Sequence, residues 1–287
     1  MSATLVNHRF VPLLPIAYHA RMRNAVLAVR WTFVLLLFTG PADAARPPGN
    51  LLLEDMTSTE LASAVRDGVT TALVPIGGTE QNGAHIALGK HNARAAALAL
   101  RIAERLGNTL VAPVIAYVPE GRIEPATEHM RFAGTISVPE PAFEQVLTGA
   151  ARSLRAAGMR TIVLLGDHGG YQRSLQSVAE RLSREWRNTG VRVLAPTEYY
   201  RAASRGFDDI LRKRGYSDAE IGVHGGLADT ALSLALTPAL VRADRLADAA
   251  RTPGVTGDAR RATAELGELG VALIVDATAS AITGSRR

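Results

Sequence analysis

Two short runs, Thr71 to Ile76 (TALVPI) and Thr161 to Leu165 (TIVLL), are apolar almost throughout, and each ends on a glycine-rich polar loop. A strand with no apolar/polar alternation has to be buried on both faces, which confines the chain to a mostly parallel sheet covered by helices on each side. The segments between carry helix signals. Thr57-Ser-Thr-Glu60 spells a capping box for a helix reaching about Asp67, with Gly68 as its stop. Asn92 is placed to cap a long Ala/Leu-rich helix that Gly107 ends, and its apolar stripes from Ala95 to Leu106 read as core packing. Leu110 to Val118 contains an extended segment broken by Pro113, and Pro139 and Pro141 suit the first turn of a helix ending near Gly158. A helix over about Gln172 to Asn188 then precedes a strand at Val191 to Ala195. The alternation predicts an α/β fold with three layers, α/β/α, around a mostly parallel sheet.

The first 44 residues stand apart from this pattern. From Met22 they run through Arg23 and Arg30 into the apolar stretch Trp31 to Phe38, and end in Ala42-Asp43-Ala44. A basic start, a short apolar core and a small-x-small end make a secretory signal peptide, with Ala45 first after cleavage and Met22 a candidate for the true start. The apolar run is short for a retained membrane anchor. The chain is therefore expected to be exported, periplasmic or secreted, with residues 45–287 forming a single domain. At 47% hydrophobic and 21% charged residues that domain has the composition of a folded protein. The net charge of +5 owes much to four leader arginines, and no Lys/Arg run with interleaved aromatics occurs, so nucleic acid is not an expected partner.

There is no cysteine, so disulfides and thiolate chemistry are excluded and any metal site must draw on His, Asp and Glu. Beyond the leader the five histidines are His85, His91, His129, His168 and His224, each in or beside a glycine-containing loop. The loop after the first apolar run, Gly77 to Asn92 (GGTEQNGAHIALGKHN), carries Glu80, His85 and His91. The loop after the second, Gly166-Asp167-His168-Gly-Gly170, carries His168. Both leave the C-terminal ends of parallel strands, so they open on the same sheet edge, where α/β proteins bind ligands. A phosphate loop is not the explanation: Gly83 to Gly89 is one residue too long and Lys90 is followed by His91, while Gly78 to Gly83 is followed by Ala84.

These segments resemble the creatininase (creatinine amidohydrolase) family. Its first signature, approximately G-S-x-E-Q-H-G-P-H-L-P-L-x-T-D, is followed without a gap from Gly77 to His91. Similar segments come in order: Glu128-His129 to Ser137, Gly166 to Gly170, His224-Gly-Gly-Leu-Ala-Asp229-Thr230, and Gly257 to Gly267. The resemblance implies a metal-dependent hydrolase of a non-peptide or cyclic C–N amide bond, with a small-molecule amide as substrate, and a homo-oligomer, commonly hexameric. It also implies divalent metal, most often zinc or manganese, and two adjacent ions in the family at large. Carried over by position, Glu80 and His168 match metal ligands. His91 stands where the family has a bridging aspartate, Asn82 where it has a histidine, and Asp229 where it has a glutamate. His224 matches the catalytic histidine.

An imidazole offers one lone pair and does not readily bridge two ions, so Glu80, His91 and His168, with Asp229 as a fourth ligand or as an orienting group, predict one ion rather than two. Asp167 is open to the same two readings. His85 is expected to hydrogen-bond the loop backbone, and His129 to order a loop or face substrate. A non-catalytic metal- or small-molecule-binding protein of the same fold is the competing reading.

Overall fold

The computed structural model describes residues 49–285. The expected signal peptide lies outside the described residues. Four parallel strands, β1 (Thr71–Ile76), β2 (Thr109–Val111), β3 (Thr161–Gly166) and β4 (Arg192–Leu194), form a sheet in the order β2-β1-β3-β4. β1 and β3 are central and buried along their whole length, as their unbroken apolar runs require. They pair in register from Thr71 opposite Thr161 to Ile76 opposite Gly166, so their C-terminal loops leave the sheet side by side.

Side chains alternate between the two faces. Ala72, Val74, Ile76, Ile162 and Leu164 face a layer built from α1 (Ser58–Arg66), α3 (Glu140–Ala156) and α4 (Gln172–Glu185), with Phe143, Leu147, Leu175 and Trp186 in its core. Leu73, Val163 and Leu165 face the other layer. It contains α2 (Lys90–Leu106), α5 (Thr197–Arg201), α6 (Phe207–Lys213), α7 (Asp218–Ile221), α8 (Leu227–Leu236) and α9 (Ala264–Gly284). The result is a three-layer α/β/α fold. A single π-turn at Ala202–Gly206 joins α5 to α6.

Helix α1 has the capping box read from the sequence: Thr57 Oγ1 accepts the Glu60 N–H, and the Glu60 carboxylate accepts the Thr57 N–H. The start of α2 differs from expectation. Gly89, not Asn92, is its N-cap, and Asn92 lies within the first turn, where its Oδ1 accepts the Gly78 N–H at 2.9 Å and its Nδ2 donates to Thr79 at 3.1 Å. Asn92 thus ties the helix to the loop after β1. The approach is so close that a Cβ on Gly77 would lie 2.6 Å from the Asn92 Cα. It also places His91 on the helix.

Helix α9 is long and apolar enough to cross a membrane by composition, yet its Val271, Ile274 and Ile282 are core residues of the second layer. Its Gly267 seats against α8: a Cβ there would meet the Ala231 carbonyl oxygen at 2.0 Å. Gly267→Ala is expected to cost about 1–3 kcal/mol through overpacking, read as a lowered denaturant midpoint at unchanged m-value. An unchanged midpoint would show that α8 and α9 separate without strain.

Candidate metal centre

The loops after β1 and β3 are locked together by one buried hydroxyl. Tyr171 Oη donates between the carbonyls of Ile76 (2.9 Å) and Gly77 (2.6 Å) and accepts the His168 N–H at 3.1 Å. This fixes where Glu80 and His168 emerge. A third segment, the short 3-10 helix Glu128–Arg131, presents His129 to the same place.

Glu80 is fully buried, and its two carboxylate oxygens have different surroundings. Oε1 lies 2.7 Å from His91 Nε2, 3.6 Å from Lys90 Nζ and 3.7 Å from His224 Nδ1. Oε2 makes no hydrogen bond, and faces His129 Nε2 at 3.2 Å and His168 Nε2 at 3.6 Å. One ligand atom from each of Glu80, His129 and His168 lies within 4.8 Å of the other two. Burial alone would raise the Glu80 carboxyl, but the hydrogen bond and charge of His91, followed by Lys90 and His168, hold it far below the usual range. Burial takes the His168 ring down to about 3, so at neutral pH it is uncharged and has a lone pair to offer. An orphaned, ionised carboxylate oxygen facing two imidazole nitrogens fits a divalent ion of the zinc or manganese kind.

The other side of Glu80 is a network of buried charges. His91 Nδ1 meets Asp167 Oδ2 at 2.6 Å, and Arg94 donates to Asp167 and to Asp229, both at 2.8 Å. Lys90 donates to Asp229 at 3.0 Å, Tyr199 to Asp167 at 3.0 Å, and the Gly225 N–H to Asp229 at 2.9 Å. Burial opposes the ionisation of both aspartates. For Asp167 the Arg94 and His91 charges outweigh it; for Asp229, Lys90 and Arg94 do.

Of the four expected ligands, Glu80 and His168 lie in the three-residue cluster, His91 borders it with Nε2 2.7 Å from Glu80 Oε1, and Asp229 lies beyond it. Both His91 nitrogens are taken by carboxylate oxygens, and Asp229 is held by Lys90 and Arg94. His129 joins instead. The sequence carried a faint sign of the cation network: Lys90 and Arg94 sit in the opening turns of a helix, where basic residues oppose the dipole.

The remaining candidates have definite places. Asn82 donates to the carbonyls of Glu80 (2.9 Å) and Ala87 (3.2 Å), bracing the loop. His85 is fully buried, with Nε2 2.9 Å from the Gly225 carbonyl oxygen and 3.2 Å from the Thr230 hydroxyl, joining the β1 loop to the start of α8. His224 packs on His129 with ring centroids 4.5 Å apart. Its Nε2 donates to the Gln81 carbonyl at 2.7 Å, which leaves the Nδ1 lone pair turned to the cluster. Burial, then the Lys90 charge, lower its pKa. Glu120, which sequence reasoning passed over, is 2% exposed, and burial followed by the Glu80 charge pushes it up to about 9. A cavity of about 600 Å³ opens over the site, lined by Arg131, Phe132, Tyr200, Asp208 and His224 among others.

A Glu/His set built on a buried carboxylate at the C-terminal edge of a parallel sheet, beneath a cavity of mixed polar and apolar lining, is that of a metal-dependent hydrolase on a three-layer α/β/α scaffold. The chain belongs to the creatininase family: the family model described as creatinine amidohydrolase matches residues 54–282. It is a hydrolase acting on carbon–nitrogen bonds, a metal-dependent amidohydrolase. A creatinine amidohydrolase from Pseudomonas putida is 28% identical over 260 residues, which cover 81% of this chain and 96% of that protein. A mycofactocin precursor peptide peptidase from Mycobacterium tuberculosis (strain CDC 1551 / Oshkosh) is 29% identical over 252 residues, covering 78% and 87%. Among solved structures, a creatinine amidohydrolase (creatininase) superposes with a TM-score of 0.69 at 26% identity, covering 83% of this chain and 98% of that one. Creatininase structures described as the Mn form and as a Zn-Zn type mutant superpose with TM-scores of 0.67, each at 27% identity; they cover 82% and 83% of this chain and 98% and 99% of their own.

Arg94→Ala would leave Asp167 and Asp229 without their shared cation. The expected loss is about 3–5 kcal/mol of folding stability, measured by denaturant unfolding. A loss below about 1 kcal/mol would mean that Lys90 and water replace the guanidinium fully.

Proposed function

We propose that the chain hydrolyses a non-peptide or cyclic C–N amide bond with one divalent ion, zinc in preference to manganese, held by Glu80, His129 and His168, and with His224 as the proton carrier. The observation that carries this reading is the orphaned Glu80 Oε2 facing two imidazole nitrogens. Support for one ion comes from the opposite oxygen. Oε1 is already shared between His91 and Lys90, so protein side chains stand where a second ion would have to share the carboxylate. His91 and Asp229 then serve the site by holding Glu80, Lys90 and the start of α8 in place.

When bound, the ion supplies Lewis acidity toward the amide carbonyl and acidifies water. The chain supplies the rest. Lys90 and His91 keep Glu80 ionised, and Tyr171 and Gln81 fix the backbone from which the ligands and His224 act. His224 has its tautomer set by the Gln81 carbonyl, so Nδ1 accepts the proton released by water as it attacks the carbonyl. The same proton passes to the departing nitrogen as the C–N bond breaks. One water is consumed, and a carboxylate and an amine result. The cavity over the site receives the substrate, with Phe132 and Tyr200 offering apolar surface and Arg131 and Asp208 offering charge. The leader-like sequence before Ala45 supports an extracytoplasmic place for this reaction.

The test is a panel of lactams, cyclic ureides and linear peptide amides, the last included because one relative is named as a peptide peptidase, assayed with and without chelator. Turnover should vanish with chelator and return with zinc. His224→Ala should lose about 10²–10⁴-fold in kcat while keeping its metal, whereas His129→Ala should lose the metal itself. An active His224→Ala enzyme would remove His224 from the mechanism. A wild-type chain that binds zinc and hydrolyses nothing would favour the non-catalytic reading.

A further inference from the structure

We propose that Glu120 is a positioning residue that accepts the Nδ1–H of His168 and so turns the Nε2 lone pair of that ring toward Glu80. The inference rests on the assignment of His168 as a metal ligand. It concerns a residue outside the ligand set, from a separate segment between β2 and the 3-10 helix.

The observations begin with how firmly Glu120 is held. Its backbone N–H donates to the Ser137 hydroxyl at 2.9 Å, and that hydroxyl donates to the Gly121 carbonyl at 2.7 Å. The side chain is then confined between two neighbours. On one side it lies against Gly78, where a Cβ would come within 2.3 Å of Glu120 Oε1 and push the carboxyl group aside. On the other, Oε2 lies 3.4 Å from His168 Nδ1. Both oxygens are buried, and neither makes a hydrogen bond. Leaving a buried polar group unpaired is costly, so an orphaned carboxyl this tightly packed calls for a partner that the ligand ring can supply.

His168 Nδ1 has two neighbours and can serve only one of them. The Gly170 N–H approaches it at 3.3 Å, an arrangement that requires a lone pair on Nδ1 and therefore puts the ring proton on Nε2. A ring in that tautomer cannot ligate through Nε2, the nitrogen that faces Glu80 Oε2. Glu120 favours the opposite tautomer: an acceptor at Nδ1 draws the proton there and frees Nε2. The carbonyl oxygen of the carboxyl accepts in either protonation state, so the role needs an acceptor and not a charge. Histidine ligands are commonly oriented by such a partner on the second nitrogen, and its loss typically lowers metal affinity about 10–100-fold.

The experiment titrates zinc into the metal-stripped full chain against a chromophoric chelator. Glu120→Leu, which fills the space without an acceptor, should bind zinc about 10–100-fold more weakly than wild type. Glu120→Gln keeps an acceptor oxygen and should stay within about threefold. In zinc-loaded wild type, the His168 Nδ1–H should give a slowly exchanging proton resonance coupled to ¹⁵N. The resonance should persist in Glu120→Gln and be lost to exchange in Glu120→Leu. If Glu120→Leu does not fold, Glu120→Ala is the second variant without an acceptor. Glu120→Leu binding zinc as wild type does, or Glu120→Gln losing as much as Glu120→Leu, overturns the proposal while leaving the metal assignment intact. Wild type failing to bind zinc overturns the metal assignment, and this inference with it.

Discussion

Everything in this active region depends on keeping one carboxylate ionised in a fully buried place. Glu80 has no exposed surface, and desolvation acts strongly against its charge. The fold answers from α2, whose first turn brings the hydrogen bond of His91 and the charge of Lys90 to the carboxylate. Those groups are themselves buried and need partners. The requirement spreads outward through Asp167, Arg94 and Asp229 until it reaches the start of α8. The network is thus a chain of alternating charges in which each member makes burial of the next tolerable. A single deletion leaves its neighbours exposed to the full desolvation cost.

The same arrangement divides Glu80 into two halves with different jobs. One oxygen belongs to the protein's own cations, and the other faces His129 and His168 without a hydrogen bond. Relatives whose structures are described as Zn-Zn or Mn forms share the scaffold at 27% identity. On the reading proposed above, His91 and Lys90 in this chain take the place of one ion of a Zn-Zn pair. His224, anchored through Gln81, then completes a site in which the scaffold sets geometry and the loops after β1 and β3 set chemistry.

Much of this was legible in the sequence, for identifiable reasons. Buried parallel strands lack alternation, so β1 and β3 could be read directly, and their shared direction placed Glu80 and His168 on one edge. The capping box of α1 was equally plain, since its partners are three residues apart. Asn92 was misread as a helix cap because local propensity does not reveal that its side chain is bonded to Gly78 and Thr79 across the turn. His129 could not be assigned: its proximity to Glu80 is a long-range contact made by a short 3-10 turn that has no periodic signature. His91 matched a ligand position in the sequence, but its surroundings depend on Asp167, which a different strand delivers. Glu120 gave no signal, because its burial follows from Gly78 and Ser137 on two other segments.

The most direct test is the number of metal ions held by the purified full-length chain, determined by elemental analysis after dialysis against a weak chelator. One zinc per chain, lost when His129 is replaced by alanine, is the predicted result. Two tightly bound ions per chain would contradict the account, because a second ion could share Glu80 only by displacing His91 and Lys90 from its Oε1.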